Sequence, residues 1–186
     1  MSDESSNVIV SVIIPVHNAA EYIAETLTTV LAQSLKEIEI ILVNDSSTDN
    51  TLDIVTKIAS EDSRVRVITN PSNVGGGESR NIGLRIATGE YIIFLDDDDY
   101  ADKEMLKRMS DRATAQQTDV VICRCQSIDL QTNTRSPMPL SVREDLLPEK
   151  EVFSSREIAD DFFRAFIWWP WDKLFRREAI LASGLE

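Results

Sequence analysis

Short β-branched runs alternate with helix-patterned segments along this chain, and that alternation restricts its fold more than any other feature. Residues 8–14 form an apolar run that Pro15 is expected to stop, and residues 38–43, 65–68, 91–95 and 119–123 form four more. Runs of this length, rich in Val and Ile, read as buried strands. Between them apolar residues recur at helical spacing: Ile23, Leu27, Val30 and Leu31; Leu52, Val55, Ile58 and Ala59; Leu106, Met109 and Ala113. Asn18 followed by Glu21 predicts a capping box for the first helix, and Ser47 or Thr48 caps the second. A further helix runs to about Thr88, where Gly89 is expected as a left-handed C-cap. The order βαβαβαβαβ predicts an α/β fold, a mostly parallel sheet with helices on both faces. Ligands of such sheets bind beyond the carboxyl ends of the strands, and polar residues gather there, at 15–18, 44–47 and 96–99.

The chain of 186 residues suffices for one sizeable domain. Residues 1–7 are polar and acidic, and read as a disordered tail rather than a signal peptide. Residues 8–125 hold the alternating pattern. After Gln126 it degrades: residues 127–150 include three prolines and predict a long loop or irregular hairpin. Ser154 and Glu157 suggest another capping box, Phe162, Phe163 and Phe166 a helix, and residues 172–182 a last helix closed by Ser183 and Gly184. No apolar run approaches the length of a membrane span. Cys123 and Cys125 share a strand face and read as reduced thiols of a cytoplasmic protein.

The net charge of −13 argues against a nucleic-acid partner. Residues 1–99 carry 17 acidic and 6 basic side chains, net −11. An anionic ligand held there needs accompanying positive charge, most simply a divalent cation. Four consecutive aspartates, Asp96 to Asp99, close the fourth strand. Such carboxylates repel one another in a cleft, and a hard cation such as Mg²⁺ or Mn²⁺ relieves the repulsion. One of them, Asp99, is expected to cap the following helix. Asp45 either reads a base or ribose or caps the second helix. Gly75, Gly76 and Gly77 read as a turn without a P-loop signature, and Arg80 as the partner of an aspartate. His17, the single histidine, is too isolated to define a metal or base site. Trp168, Trp169 and Trp171 are either core or a sugar-stacking surface.

Together these motifs form a pattern. Residues 12–18, residues 44–51, Asn73-Val74-Gly75 with Arg80-Asn81-Ile82-Gly83, and residues 89–99 resemble the inverting family-2 glycosyltransferases, in order and spacing over residues 8–125. Residues 171–177 are similar, more loosely, to a stretch in members that build bacterial polysaccharides. The resemblance implies the GT-A fold, with residues 8–125 as the nucleotide-sugar-binding subdomain and residues 126–186 as a partial, truncated acceptor-side region. It implies that Pro15, Val16, Asn18 and Gly75 line the nucleoside, Asp45 reads the base, and Asp96 or Asp97 faces ribose. It makes Asp98, with Asp96, the ligand of Mn²⁺ or Mg²⁺, and puts Trp169, Trp171 and Lys173 on the acceptor side. Ser46 stands where the family usually has glycine. Implied partners are a UDP-sugar and a saccharide or lipid-linked acceptor, with peripheral membrane contact at the inner face of the membrane. The family's general base, an aspartate in a Glu-Asp pair, is expected beyond Glu186, because neither Glu61-Asp62 nor Glu144-Asp145 is suitably placed. The alternative is a non-catalytic sugar-nucleotide-binding module that assists a partner transferase.

Overall fold

A computed structural model describes residues 7–129, 131–132, 134–138 and 142–184, so the tail expected at 1–7 falls outside it except for Asn7. The strands are β1 (Val10–Val16), β2 (Ile38–Asn44), β3 (Val65–Thr69), β4 (Tyr91–Phe94), β5 (Val120–Ile122), β6 (Gln126–Asp129), β7 (Thr134–Pro137) and β8 (Lys173–Arg176). The helices are α1 (Ile23–Leu31), α2 (Thr51–Glu61), α3 (Gly76–Ile86), α4 (Met105–Gln116), α5 (Phe162–Ala165) and α6 (Arg177–Ser183). Six strands form one sheet in the order β3-β2-β1-β4-β8-β5. The β3–β2–β1–β4 part is parallel, while β8 runs antiparallel to both β4 and β5. Strands β6 and β7 pair as a separate antiparallel hairpin, in keeping with the irregular hairpin expected after Gln126.

The period of two along the strands sorts side chains between two layers. Val10, Val12, Ile14 and Val16 join Ile40, Leu42, Tyr91 and Ile93 under α1, α2 and α4, where Ile23, Leu27, Val55, Leu106, Met109 and Ala113 are buried. Ile13, Ile41, Val43 and Ile92 face the other way, against Leu84 and Ala87 and the partly buried Ile180 of α6. The strands and helices of residues 8–125 thus supply most of both layers, and residues 173–183 complete the sheet and its second face.

Several local expectations fail, each for a tertiary reason. Pro15 does not stop β1, which continues to Val16. The edge of β1 that Pro15 shares with Ile13 faces β4, whose pairing ends at Ile13, so the missing N–H interrupts no ladder. Asn18 does not cap α1, which begins at Ile23 without a side-chain cap. Neither Ser47 nor Thr48 caps α2, which begins at Thr51. Gly89 is not a left-handed C-cap: α3 ends at Ile86, and Ala87 at its end is extended. A Cβ on Gly89 would lie 2.6 Å from the Ser11 N, so glycine is required there for close approach. Ser154 and Glu157 do form a capping box, but on a 3₁₀ turn, residues 155–158. Phe166 lies just past the end of α5. The last predicted helix is a strand in its first part: residues 173–176 enter the main sheet, and only residues 177–183 are helical.

Candidate functional site

Four segments converge at the carboxyl ends of the parallel strands. Pro15, Val16 and His17 end β1, Asp45 follows β2, Gly76 and Arg80 open α3, and Asp96 and Asp97 follow β4; together they line a cavity of about 190 Å³. The loops after β1 and β2 are laced together. The Asn18 N–H donates to Ser47 Oγ at 3.1 Å, and Asn18 Oδ1 accepts from the Thr48 N–H at 2.8 Å. The Ala19 N–H donates to Thr51 Oγ1 at 2.8 Å. Two non-glycine residues in these loops adopt left-handed backbone, Asn18 at φ 53° and Ser46 at φ 55°. The second explains why glycine suits the Ser46 position. Ser46 holds the conformation with its hydroxyl donating to the Asn70 carbonyl at 3.1 Å.

Asp45 organises the third loop. It is 2 % exposed. Its Oδ1 accepts from Asn70 Nδ2 at 2.8 Å and from the Val74 N–H at 2.9 Å, and its Oδ2 from the Gly75 N–H at 2.7 Å. Burial alone would push the Asp45 carboxyl up, but these donors outweigh it and hold it below the usual carboxylate range. A carboxylate has about four lone-pair sites, of which these donors occupy three. Gly75, at φ 88°, takes the left-handed backbone that delivers this N–H at the start of α3. Asp45→Asn would turn an amide NH₂ toward one of these backbone donors. Leaving a buried donor unsatisfied costs about 1–3 kcal/mol, so denaturant unfolding should show a loss of that order. Unchanged stability would mean that Asp45 does not hold the loop.

His17, which sequence reasoning left unassigned, lies in the cavity wall. Its Nδ1 is 2.7 Å from the Asp45 carbonyl oxygen, an obligate acceptor, so Nδ1 carries the proton. Its backbone N–H donates to Asp97 Oδ2 at 3.2 Å. Arg80 forms an ion pair with Asp96, the partnership expected from sequence. The position of His17 directly after the cavity-lining Val16 was the available signal for it; Arg80 reaches the cavity only because α3 packs against β1.

The four aspartates divide unequally. Asp96 pairs with Arg80, Asp97 accepts from His17, and Asp98 is exposed. Asp99 does not cap a helix: α4 starts at Met105, and Asp99 Oδ2 instead accepts from the Asp96 N–H at 3.1 Å, closing the turn. Burial and the neighbouring carboxylates push Asp97 up, and push Asp99 up to about 6. An acid with a raised folded-state value carries no penalty while protonated and acquires one on ionising. Wild-type stability should therefore fall relative to Asp99→Asn as pH rises from about 4, the unfolded value, through about 6. Melting temperatures of both proteins across that range check this; parallel curves would remove the argument.

Among the described residues no group of three or more His, Cys, Asp or Glu side chains is arranged to hold a metal ion. Of the expected lining residues, Pro15, Val16, Asp45, Asp96 and Asp97 line the cavity, whereas Asn18, Gly75 and Asp98 are not in its lining; Asn18 and Gly75 instead tie loops together, to the Thr48 N–H and to Asp45. Trp169 and Trp171 stack with ring centroids 4.9 Å apart and planes 18° from parallel. Trp168 packs instead on Phe162, Phe163 and Phe166. Lys173 is 2 % exposed and so lies beneath the surface that an acceptor would touch. No helix among the described residues is long and apolar enough to cross a membrane.

A cleft walled by aspartates at the carboxyl edge of a largely parallel sheet is the ligand-site position of open α/β domains. Residues 11–182 match the family model "Glycosyl transferase family 2", and the chain belongs to that family. It is 36% identical over 177 residues to the uncharacterized glycosyltransferase EpsJ of Bacillus subtilis, covering 95% of this chain and 50% of EpsJ. It is 35% identical over 151 residues to the poly(ribitol-phosphate) beta-N-acetylglucosaminyltransferase TarS of Staphylococcus aureus, covering 80% of this chain and 25% of TarS. The crystal structure of S. aureus TarS 1–349 in complex with UDP-GlcNAc superposes with a TM-score of 0.75 at 30% identity, covering 95% of this chain and 47% of that one. This supports the GT-A fold and a glycosyltransferase of bacterial polysaccharide type. The chain spans about half the length, or less, of these relatives.

Proposed function

We propose that this chain forms the donor side of an inverting transferase that moves a sugar from a UDP-sugar to a saccharide or lipid-linked acceptor. The observation that carries the reading is the cavity in which His17, Asp45, Arg80, Asp96 and Asp97 meet at the strand ends. Pro15 and Val16 supply its apolar wall, and the Asp45 carboxylate, which also lines it, is the acceptor type that an imide N–H of a base requires. The UDP-GlcNAc held by TarS in its crystal structure supports a UDP-sugar as donor. A cytoplasmic location, with peripheral contact to a membrane carrying the acceptor, is a corollary of this reading.

The aspartate turn fits a hard divalent cation. Its donors are all carboxylate oxygens; burial is the main cause that raises Asp97 and Asp99, and the added repulsion of the neighbouring carboxylates is what a cation would relieve. Mg²⁺ and Mn²⁺ sites that serve phosphates use one or two carboxylates, here exposed Asp98 and Asp96, the latter shared with Arg80. Bound there, the cation would stabilise a leaving diphosphate. Asp45 holds the loop that closes the nucleoside side, and His17 is oriented by the Asp45 carbonyl.

Calorimetry with UDP, UMP and ADP, each with Mn²⁺ and with chelator, tests the reading. UDP should bind with Mn²⁺, UMP should bind more weakly for lack of the second phosphate, and ADP should bind poorly. Equal binding of UDP and ADP would remove the base assignment; absence of UDP binding would sink the function.

A further inference from the structure

Among the described residues Lys173 is the one buried lysine, and its three ammonium protons have three acceptors. Its Nζ donates to the Ile167 carbonyl at 2.8 Å, to the Trp169 carbonyl at 2.9 Å, and to Asp172 Oδ1. The ammonium also lies 5.9 Å from the Trp168 ring centroid. One side chain thus grips the segment that carries all three tryptophans.

The topology gives that grip a direction. Because β8 is antiparallel to β4, with Ile93 opposite Leu174 and Tyr91 opposite Arg176, the beginning of β8 lies at the end of β4. Residues 167–171 therefore arrive at the sheet edge from which Asp96 to Asp99 emerge. On the other side Ile122 of β5 pairs with Lys173, and the Cys123 N–H donates to the Asp172 carbonyl at 2.9 Å. The strand that follows the segment is thus fixed on both flanks, and the segment itself is held by the Lys173 ammonium.

We infer that Lys173 is a positioning residue: its ammonium holds the 167–171 segment so that the stacked pair Trp169–Trp171 forms an aromatic wall for the acceptor's sugar ring beside the aspartate turn. A lysine that is 2 % exposed does not touch an acceptor; it acts through two backbone carbonyls. Trp171 packs against the main core with Trp169 stacked on it; both indoles remain partly exposed, and an aromatic face suits the C–H face of a pyranose. The assignment rests on the transferase reading above.

The test uses Lys173→Met, which keeps the length of the side chain and removes all three donors. Since it leaves Asp172 buried without its cation, the double variant Asp172→Asn/Lys173→Met is made beside it. Three readouts are taken: the near-ultraviolet circular dichroism of the coupled indoles, the response of tryptophan fluorescence to methyl glycosides of glucose, galactose and N-acetylglucosamine with UDP present, and UDP affinity. In the double variant, and in the single one if it folds, the near-ultraviolet signal should collapse and the glycoside response should weaken at least tenfold. UDP affinity should change less than twofold. A double variant that keeps the wild-type near-ultraviolet signal, or that loses UDP affinity in step with it, overturns the positioning role. A wild-type protein that binds UDP but responds to none of the glycosides overturns the wall's assignment. Failure of the wild type to bind UDP refutes the transferase reading itself, whatever the tryptophan signals show.

Discussion

Asp98→Ala is expected to remove the metal-dependent part of UDP binding, while Asp99→Asn keeps it. The two residues are neighbours in sequence with different tasks. Asp98 is exposed at the turn, whereas Asp99 folds back to accept the Asp96 N–H. Residues 1–99 carry a net charge of −11, so a diphosphate entering without a cation meets strong repulsion. Outer partners of metal ligands are already worth ~10–100-fold in metal affinity, and a direct ligand should be worth at least that. Titrating UDP into both variants with Mn²⁺ and again with chelator separates them. In Asp98→Ala the two titrations should coincide at the weak affinity; in Asp99→Asn they should differ as in wild type. If both variants lose the Mn²⁺ effect equally, the turn acts as one unit and the division of roles is wrong.

The second large effect concerns where the sugar goes. With Mn²⁺ and a UDP-sugar, this 186-residue chain should release sugar slowly to water and transfer little to an acceptor. Positioned proton transfer contributes about 10²–10⁴-fold, and Asp172 and the aspartates of the two Glu-Asp pairs are each held in an ion pair. Asp172 is fully buried and paired with Lys173. Glu144 and Asp145 are paired with Arg124 and Arg143, and Asp62 with Arg64. Labelled donor, followed into free sugar and into acceptor product, measures the partition. Transfer that outpaces hydrolysis by orders of magnitude would place the base within this chain. Asp99, pushed up to about 6, would then be the first residue to examine.

The aspartate turn also shows why local reading stops short. An N-cap and a turn-closing Asp make the same bond, a side-chain oxygen accepting a nearby N–H. Sequence cannot distinguish them, because the difference is where the next helix begins, and α4 begins at Met105. Asn18 presents the same ambiguity. Its side-chain partner, the Thr48 N–H, lies 30 residues away and exists only once β1 and β2 are paired. Residues 173–176 give no strand signal in sequence because Lys173 is a charge at a buried position. No apolar periodicity marks such a residue, and its burial depends on two carbonyls and a carboxylate that the folded loop brings together.

The sequence by itself determined the parallel α/β core, since β-branched runs and helical spacings are local patterns with only a few compatible topologies. It also placed the site at the strand ends, through the polar residues after β1, β2 and β4. Only the tertiary structure decided that β8 inserts antiparallel between β4 and β5. Only it showed Asp45 holding the Val74–Gly75 backbone, His17 in the cavity wall, and Lys173 under the tryptophans. These are contacts between residues distant along the chain or hidden within loops, and their energies come from desolvated hydrogen bonds whose partners no sequence window contains.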